Sequence, residues 1–571
     1  MASVPGHARS FSAFPTEHVT GGEAVYWALR ALDVRHVFGI VSVHNLPIFE
    51  AVDRLGGIRH VSTRHEQSAA HAADGYARVT GRLGVVIGST GPGTTNTATG
   101  LLEAGSASSP VLLITGQTAS TVLGKGKGYV HEFEQQLAML RTLVPHAESV
   151  RSRHAIGETI LHVARRILTG RPQPGAVQIP IDYQWAHATE RETEWVAPAP
   201  RGPSAASIDA AVGLLDVAMR PVIWAGGGVT LSNGSRALHE LTDRLAAPVF
   251  VTENARGSLP HDHPSYMGMI TDQPGAWEIM RESDAMVAIG TRFQWTATAA
   301  WKAPVPDALV HLDVDPRMIG LNYRPAVAMV GDARRGMDAL LERLVPHDGD
   351  AAFLERARQV RAKLEEEFEH QAGADYRTMR DGLLRHLPDD AVITSDATMA
   401  TQMFGRRLIP MARPRSSTHV STAAIGPGAA TALGAAVGAG VPTILFQGDG
   451  GFMMSIGELA TMAEMAARVI VLVFNDRGYG AIRMLQSMTF GERLFSTELA
   501  TPNFAQVARA MGVESEHVGT AAEFEAAFGR AIQADGPYLL DIDISNMPST
   551  SPVEWRKRSP NSLGGDRFDR G

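Results

Sequence analysis

The chain has 571 residues, of which 44% are hydrophobic and 20% charged, so it is neither a disordered nor a fibrous protein. Its 52 basic and 60 acidic side chains give a net charge of −8 without a long basic run, which argues against nucleic acid or an anionic membrane as partner. The absence of cysteine excludes disulfides, thiol nucleophiles and cysteine-bound metals. No apolar signal segment and no run of about 20 apolar residues occurs, so we expect a cytoplasmic protein.

Apolar runs alternate with helical segments along the chain, a pattern typical of α/β domains in which helices cover both faces of a parallel sheet. We expect three such domains, at residues 19–185, 204–345 and 375–545, followed by a polar tail at 546–571 that could act as a lid. The predicted strands of the first domain are Val34–Ile40, Leu83–Gly88, Val111–Thr115 and Ala176–Ile181. Those of the central domain are Val222–Ala225, Val249–Thr252, Ala285–Gly290 and Leu309–Asp313. Those of the third are Ala391–Thr394, Thr443–Gln447, Val469–Phe474 and Tyr538–Ile542.

The clearest chemical motif is the turn Gly448-Asp449-Gly450-Gly451, which follows the predicted strand Thr443–Gln447. A helical pattern then opens at Ser455, which together with Glu458 fits a capping box. A strand, a glycine-rich turn and a helix start form an anion site, because free backbone N–H groups point at the ligand.

A second acidic turn, Asn475 to Gly480, follows the next predicted strand and contains Asp476. Neighbouring parallel strands end at the same edge of a sheet, so Asp449 and Asp476 can converge there. Two carboxylates and a backbone carbonyl suit Mg²⁺, whose other positions phosphate oxygens and water would fill. Each turn alone could be only a tight connection, but the two together favour a site for a diphosphate and a metal.

Two further segments are ambiguous when they are considered alone. Glu66 begins a predicted Ala-rich helix, where the helix dipole favours a Glu without any functional reason. The second glycine-rich turn, Gly88 to Asn96, could simply be a sharp connection between a strand and a helix. His71 lies in the helix that Glu66 begins, and we expect it to be structural.

In combination, the segments RHEQSAAHAADGYAR, STGPGTTN and GDGGF followed by FNDRGYG resemble the thiamine-diphosphate-dependent superfamily. The resemblance is to its group of acetolactate synthase, benzaldehyde lyase and 2-oxo acid decarboxylases, and it spans roughly residues 19–545. It implies a pyrimidine-binding domain, a central domain of vestigial dinucleotide type and a diphosphate-binding domain. It also implies a homodimer or homotetramer, because each cofactor in this family lies between two chains.

The resemblance implies a role for individual residues. Asp449, Asp476 and the Gly478 carbonyl would hold Mg²⁺; many relatives have Asn at the position of Asp476, and we expect the Asp to keep an oxygen ligand. Glu66 would hydrogen-bond the aminopyrimidine ring and favour its imino form. The imino nitrogen then removes the C2 proton of the thiazolium ring, which makes the carbanion nucleophile of the reaction. Ile425 would be the apolar wedge that bends the cofactor, and the Ala423 carbonyl would accept from its amino group. The other implied cofactor contacts are Pro92, Asn96, Gly448, Gly450, Gly451 and Tyr479.

Departures from the family patterns narrow the expected activity. Ile482 stands where pyruvate decarboxylases carry an acid that protonates the reaction intermediate, and a single His131 replaces their paired histidines. Transfer to a second carbonyl compound is therefore favoured over release of an aldehyde. Leu485 replaces the Trp of acetolactate synthase that recognises substrate, and Thr296 lies near the position of its carboxylate-binding Arg. The loss of this Arg argues for an acceptor other than a 2-keto acid.

His44 is the most informative departure, because benzaldehyde lyase has a His at this position and acetolactate synthases have a small residue. A His beside the reacting carbon can move protons near neutral pH, and His131 matches a family Gln that faces the same pocket. Either His could instead be a polar loop residue without a catalytic task. The predicted catalytic residues are Glu66, His44 and His131, and the predicted substrate pocket consists of His44, Asn45, His131, Ala481, Ile482 and Leu485.

The sequence thus predicts an enzyme that uses thiamine diphosphate and Mg²⁺ on small carbonyl compounds. Its first expected reaction is decarboxylation of a 2-keto acid with transfer to a second carbonyl compound, giving a 2-hydroxy ketone. A lyase that cleaves 2-hydroxy ketones is the alternative, and an NAD- or FAD-dependent oxidoreductase is a second one. The oxidoreductase would require a full dinucleotide-binding pattern, which the central segment lacks. FAD is not expected at the turn Ala225-Gly226-Gly227-Gly228, because the resemblance includes many relatives with the same glycine-rich turn in a vestigial dinucleotide fold.

Overall fold

The computed structural model describes residues 19–188, 195–347, 349–491, 493–551 and 554. Over these residues the chain forms three six-stranded parallel sheets and one two-stranded antiparallel pairing. No helix in this part of the chain is long and apolar enough to cross a membrane. The tail predicted as a possible lid lies outside the described residues, apart from 546–551 and 554.

The first sheet has the strand order β3-β2-β4-β5-β7-β6. The elements of this part of the chain, in order, are β1 (Val19–Thr20), α1 (Gly21–Ala31), β2 (His36–Gly39), α2 (Leu46–Leu55), β3 (Arg59–Ser62), α3 (Glu66–Thr80), β4 (Gly84–Gly88), α4 (Pro92–Thr95), α5 (Ala98–Ala107), β5 (Val111–Gln117), α6 (Gln136–Leu143), β6 (His146–Ser149), α7 (Ile156–Leu168), β7 (Gly175–Pro180), α8 (Ile181–Trp185) and β8 (His187–Ala188).

The second sheet has the strand order β11-β10-β9-β12-β13-β14. Its elements are α9 (Ala205–Leu215), β9 (Pro221–Ala225), α10 (Gly227–Leu231), α11 (Ser235–Leu245), β10 (Val249–Val251), β11 (Tyr266–Gly268), α12 (Trp277–Glu282), β12 (Ala285–Ile289), β13 (Leu309–Asp313), β14 (Val327–Val330), α13 (Ala333–Leu341) and α14 (Ala351–His386). Gly373 interrupts α14, because its φ of 82° is not helical.

The third sheet has the strand order β16-β15-β17-β18-β20-β19. Its elements are β15 (Val392–Ser395), β16 (Ser417–His419), α15 (Gly428–Ala439), β17 (Thr443–Gly448), α16 (Asp449–Phe452), α17 (Glu458–Glu464), β18 (Val469–Asn475), α18 (Gly480–Phe490), α19 (Phe504–Ala510), β19 (Glu514–Val518), α20 (Ala521–Gln533) and β20 (Tyr538–Asp543). A π-helix at Thr401–Gly405 follows β15.

The described residues form two compact units. The first contains residues up to 199 together with 420–439 and 455–467, and the second contains 200–419, 440–454 and 468 onwards. The helices α15 and α17 therefore pack with the first sheet's unit, although the sequence places them inside the third predicted domain.

The sequence predicts the four inner strands of every sheet and misses both edge strands of every sheet. Inner strands are buried on both faces and appear as continuous apolar runs. Edge strands such as Arg59–Ser62 and Glu514–Val518 are partly exposed and carry polar or charged residues, so their sequences show no such run. The edge strand Val327–Val330 is apolar but partly exposed, and the sequence analysis missed it because the run is short.

The packing of α3 against α15 in the first unit depends on small residues. A Cβ at Gly75 would lie 2.1 Å from the Thr431 carbonyl oxygen, and one at Gly434 would lie 1.8 Å from the Ala72 carbonyl oxygen. Only glycine permits the two backbones to approach this closely. This contact anchors the helix that Glu66 begins.

The predicted capping box at Ser455 is wrong. The helix α17 begins at Glu458 with Gly457 as its N-cap, and the Ser455 hydroxyl donates to the Gly426 carbonyl instead. The Glu458 carboxylate is buried and accepts from the Arg64 amide and the Thr461 hydroxyl. Tertiary contacts therefore replace the local cap that the sequence suggests.

A buried ion cluster stabilises the second unit. The Glu253 carboxylate accepts from Arg406 at 2.6 Å and from Arg256 at 3.3 Å. Burial opposes ionisation of Glu253, but Arg406, His419 and Arg256 lower its pKa to about 2. The stabilisation is present above pH 4.5, the ordinary pKa of a Glu, and is lost as the pH falls towards about 2.

We expect Glu253→Gln to lower the free energy of unfolding by about 3–5 kcal/mol at pH 7, because it leaves two buried guanidinium groups without their carboxylate. The loss of stability between pH 4.5 and about 2 should also become shallower. Urea unfolding over this pH range measures both effects. Glu240→Gln is the control, since Glu240 pairs on the surface with an Arg236 that is 91% exposed. Equal losses in the two variants would contradict the assignment.

Candidate active site

Asp449 and Asp476 follow two adjacent parallel strands of the third sheet. Gly448, the last residue of β17, lies beside Phe474 near the end of β18. The rings of Phe446 and Phe474 stack with centroids 5.8 Å apart and fix the two strands close to their ends. The structure thus brings together the two carboxylates that the sequence predicts to converge.

One oxygen of Asp449 has a partner and the other does not. Its Oδ2 accepts from the Gly478 amide at 2.9 Å, whereas its Oδ1 is buried without a hydrogen bond. The side chain is only 1% exposed, and burial raises its pKa. A buried carboxylate oxygen without a partner is costly, so Oδ1 of Asp449 is available to a bound ligand.

Asp476 has a strongly perturbed acidity. Burial and the negative charge of Asp449 raise its pKa to about 7, and Arg483 acts in the opposite direction. The Arg483 guanidinium lies 3.4 Å from the Asp476 carboxylate and donates to the Asp476 and Arg477 carbonyls. Arg483 is therefore occupied, and it does not replace the Arg missing near Thr296.

The donor set of this site fits a hard divalent cation. Two carboxylates that raise each other's proton affinity become fully ionised when a cation lies between them. The free Oδ1 of Asp449, the carboxylate of Asp476 and the backbone oxygen of Gly478 are all oxygen ligands of the kind that Mg²⁺ prefers.

Glycines shape the turns around the two carboxylates. A Cβ at Gly480 would lie 2.3 Å from Asp476 Oδ2, and one at Gly450 would lie 2.7 Å from the ring of Tyr479. Gly448 faces Thr398, whose hydroxyl would lie 3.3 Å from such a Cβ. Because positions 448 and 450 are glycine, the side chains of Thr398 and Tyr479 are able to pack against the turn Gly448 to Gly451.

Sequence reasoning missed Asp396 and Thr398, which follow β15 beside β17. Asp396 accepts from the Gln447 side chain at 2.9 Å, immediately before the glycine turn. The available signal was a set of polar residues directly after the predicted strand Ala391–Thr394, at the same sheet edge as Asp449.

Glu66 lies in the first unit at the start of α3, which His65 caps by accepting from the Gln67 amide. The half-buried Glu66 carboxylate accepts from the Asn96 amide group at 3.0 Å. A Cβ at Gly93 would lie 2.6 Å from Ser89 Cβ and 3.2 Å from Glu66 Oε1. The turn Gly88 to Asn96 therefore closes on Glu66 because position 93 is glycine, and Pro92 is exposed on that turn.

The backbone of His131 packs against the same turn. A Cβ at Gly91 would lie 2.4 Å from the His131 carbonyl oxygen, and the Gly91 amide donates to the buried Gln136 side chain at 2.8 Å. His131 has a φ of 60°, in the left-handed region that non-glycine residues rarely adopt. Such strain persists where the surroundings determine the conformation, and it is common at functional sites.

His44 and His131 are adjacent, with ring centroids 5.2 Å apart, and Tyr129 lies 6.1 Å from His44. The His44 side chain is 3% exposed, and its Nδ1 is buried without a hydrogen bond. Burial and the neighbouring His131 lower its pKa below 6.5, so His44 is neutral at pH 7 and able to accept a proton.

Asn45, a predicted pocket residue, has its polar atoms engaged within its own turn. Its side chain is fully buried, accepts from the Ser42 amide and donates to the Ile40 carbonyl. These bonds close the turn that carries His44. His71 is buried, and burial lowers its pKa to about 4, in agreement with a structural role.

The remaining predicted pocket residues differ in their surroundings. Ala481 packs against the core of the third sheet, together with Met484 and Met488 on the same face of α18. Ile482 is 45% exposed, and Leu485 is partly buried. In the first unit, Ala423 has a φ of 59°, and Ile425 is 36% exposed and not a core residue.

Comparison with known proteins decides the family. Residues 19–139 match the family described as thiamine pyrophosphate enzyme, N-terminal TPP binding domain. Residues 208–340 match its central domain, and residues 398–542 match its C-terminal TPP binding domain. The chain belongs to the thiamine pyrophosphate enzyme family.

The similar proteins are enzymes that act on small molecules. The large subunit of acetolactate synthase isozyme 2 of Escherichia coli is 31% identical over 551 residues, which cover 94% of this chain and 97% of that protein. A probable acetolactate synthase large subunit of Methanocaldococcus jannaschii is also 31% identical, with 92% of each chain covered. A probable 2-ketoarginine decarboxylase of Pseudomonas aeruginosa is 35% identical over 485 residues, with 84% of this chain and 86% of that protein covered.

The family assignment overturns one alternative. The chain is a thiamine-diphosphate-dependent enzyme of the decarboxylating carboligase group, and the alternative of a nucleotide-dependent oxidoreductase is wrong. The glycine turn of the central domain has a packing explanation, because Cβ atoms at Gly226 and Gly228 would collide with Gly290.

A histidine and aspartate cluster in the central domain does not fit a metal site. His239, Asp243 and His263 offer ligand atoms within 4.8 Å of one another. However, the Ser265 amide donates to Nδ1 of His263, so the ring proton lies on Nε2, the atom that faces Asp243 at 3.3 Å. A metal at Nε2 would need that proton moved to Nδ1 and the Ser265 hydrogen bond broken.

We expect Gly93→Ala to lower the free energy of unfolding by about 1–3 kcal/mol, since its Cβ would overlap Ser89 in a closed turn. Urea unfolding of the cofactor-free protein gives this value. Gly105→Ala is the matched control, because its Cβ would have only ordinary contact with Pro174 at 3.7 Å. If Gly93→Ala were as stable as the wild type, the close approach of this turn to Glu66 would be in doubt.

Proposed function

We propose that this enzyme uses thiamine diphosphate and Mg²⁺ to decarboxylate a small 2-keto acid. It transfers the acyl-anion equivalent to a second carbonyl compound and forms a 2-hydroxy ketone. The observation that carries the proposal is the buried pair of Asp449 and Asp476, with one free oxygen, in a chain similar to acetolactate synthases over most of its length.

Asp449, Asp476 and the Gly478 carbonyl hold Mg²⁺ on the diphosphate. The turn Gly448 to Gly451, closed by Tyr479, receives the diphosphate itself, and Thr398 borders it. When bound, thiamine diphosphate would supply the nucleophilic carbon and would delocalise the electron pair that stays behind when CO₂ leaves. The chain's own residues orient the reactants and move protons.

Glu66 hydrogen-bonds the pyrimidine ring, and the Asn96 amide group orients its carboxylate. Pro92 and Asn96 border the ring on the turn that closes over Glu66. The Ala423 carbonyl would accept from the ring's amino group, and the exposed side chain of Ile425 would supply an apolar contact to the cofactor.

His44 and His131 form the proton-transfer pair of the substrate pocket. Because His44 is neutral at pH 7, it takes a proton from a hydroxyl group and returns it to an alkoxide. Ile482 and Leu485 add apolar surface for the substituents of small carbonyl substrates, and Ala481 leaves room for a larger one.

The site also favours a homodimer or homotetramer. Several apolar side chains next to the His pair are exposed in the single chain, which is typical of a surface that a ligand or another subunit covers. They are Val41, Val43, Leu46 and Val130.

We also propose that the domains span residues 19–185, 204–345 and 375–545. We propose further that the central domain binds no FAD, since its glycines pack against Gly290.

A lyase that cleaves 2-hydroxy ketones is the second candidate function. The adjacency of His44 and His131 favours it, because cleavage requires a base for the hydroxyl proton of the ketone. The two functions differ in one product, since only the first releases CO₂.

The test of function uses the purified protein with thiamine diphosphate and Mg²⁺. Pyruvate, 2-ketobutyrate and 2-ketoarginine are each supplied with and without an aldehyde, and CO₂ and hydroxy ketone are measured together. We expect CO₂ and hydroxy ketone together, with loss of both in EDTA. Glu66→Gln should lower turnover at least about a hundredfold and leave cofactor binding largely intact.

Glu50→Gln, a charge change on the exposed side of α2, is the control for this experiment and should keep full activity. Near-normal turnover in Glu66→Gln would remove Glu66 from catalysis. Aldehyde formation from benzoin or acetoin without CO₂ from any keto acid would support the lyase instead.

We expect His44→Ala to slow ligation or cleavage roughly a hundredfold, because a positioned base is lost. Exchange of the C2 proton of the bound cofactor should change much less, since His44 acts on the substrate. The wild-type acid limb should lie below pH 6.5, where the lowered pKa of His44 places it. His162→Ala, at an exposed position, is the control. Equal loss of ligation and of C2-proton exchange would place His44 in general cofactor support.

A further inference from the structure

A buried ion cluster joins the helices α3 and α5 of the first unit. Arg78 of α3 contacts Asp74 at 2.6 Å on the same helix and Glu103 of α5 at 2.7 Å. The three side chains are 10%, 0% and 3% exposed, respectively. Burying charges is costly unless every partner is in place, so this cluster tolerates little change.

Glu103 has a second set of partners that Asp74 does not share. Its Oε1 accepts from the Ser421 amide at 2.6 Å, and its Oε2 accepts from the Thr422 amide at 3.0 Å and the Thr422 hydroxyl at 2.6 Å. Burial opposes the ionised form, but Arg78, Thr422 and Ser421 lower the pKa of Glu103 to about 2. A permanently charged acceptor therefore holds two consecutive backbone amides.

The segment held in this way is strained at the next residue. Ala423 has a φ of 59°, a left-handed conformation that costs a non-glycine residue about 1–2 kcal/mol. Such a conformation persists only where neighbouring contacts determine it. The bonds from Glu103 to Ser421 and Thr422 come directly before Ala423 and supply that constraint, and the exposed Ile425 follows two residues later.

We propose that Glu103 is a positioning residue, which holds the turn 420–425 in the one conformation that presents the Ala423 carbonyl and the Ile425 side chain to the thiamine cofactor. The inference rests on the proposed function, because that function assigns the two cofactor contacts. Arg78 keeps Glu103 ionised and in place, whereas Asp74 only balances the charge of Arg78.

Two variants separate positioning from stability. Glu103→Gln and Asp74→Asn each remove one buried carboxylate of Arg78, but only Glu103→Gln disturbs the bonds to Ser421 and Thr422. The measurements are the dissociation constant of thiamine diphosphate with Mg²⁺, the melting temperature, and amide exchange at Ser421 and Thr422 in the cofactor-free protein.

We expect both variants to melt earlier. Glu103→Gln should also weaken cofactor binding about tenfold, the scale of one lost hydrogen bond to a charged group, and should speed exchange at the two amides. Asp74→Asn should leave the dissociation constant and the two amides near their wild-type values. Equal changes in both variants would overturn the proposal, since they would reflect general destabilisation.

Thr422→Val is the second test, because it removes one donor to Glu103 and leaves the ion cluster intact. It should weaken cofactor binding severalfold with a smaller fall in melting temperature than Asp74→Asn causes, and wild-type affinity would contradict the proposal. If the wild type bound no thiamine diphosphate, the proposed function would fall. The amide exchange would still decide whether Glu103 holds the turn.

Discussion

The turns at the end of the third sheet have to accommodate the electrostatic repulsion between Asp449 and Asp476. Two carboxylates buried side by side raise each other's proton affinity, and the pKa of Asp476 rises to about 7. The chain offsets part of this repulsion with the Gly478 amide and the Arg483 guanidinium. It leaves the buried Oδ1 of Asp449 without a hydrogen bond, and our proposal assigns this oxygen to Mg²⁺.

Two other buried carboxylates show a pKa shift in the opposite direction. Glu253 and Glu103 are each paired with arginine, and in both the pKa is lowered to about 2 although burial opposes this. Both groups are satisfied by partners within the chain. At Asp449 and Asp476 the shift has the opposite sign, as it also has at the buried Glu458 and Asp74, so the feature that distinguishes the Asp449 and Asp476 pair is the buried Oδ1 without a hydrogen bond.

The sequence was sufficient for features that depend on burial and strand order. Inner strands appear as apolar runs, and the convergence of Asp449 and Asp476 follows from the common edge of parallel strands. It was insufficient for features that depend on distant partners. Most edge strands lack the apolar run, and Glu103 bonds to Thr422, 319 residues away.

Glycine-rich turns of similar sequence have different surroundings in the folded chain. The turns at Gly226 and Gly448 both follow a buried strand and look alike in sequence. A Cβ at Gly226 would lie 2.3 Å from the Gly290 carbonyl oxygen, so only glycine fits where the chain leaves the neighbouring parallel strands β9 and β12. At Gly448 a Cβ would meet only the Thr398 side chain at 3.3 Å, next to an unsatisfied carboxylate oxygen of Asp449. The glycine at 226 is required by the neighbouring Gly290 backbone, whereas the glycine at 448 borders the proposed cofactor site, so the same motif has two physical causes.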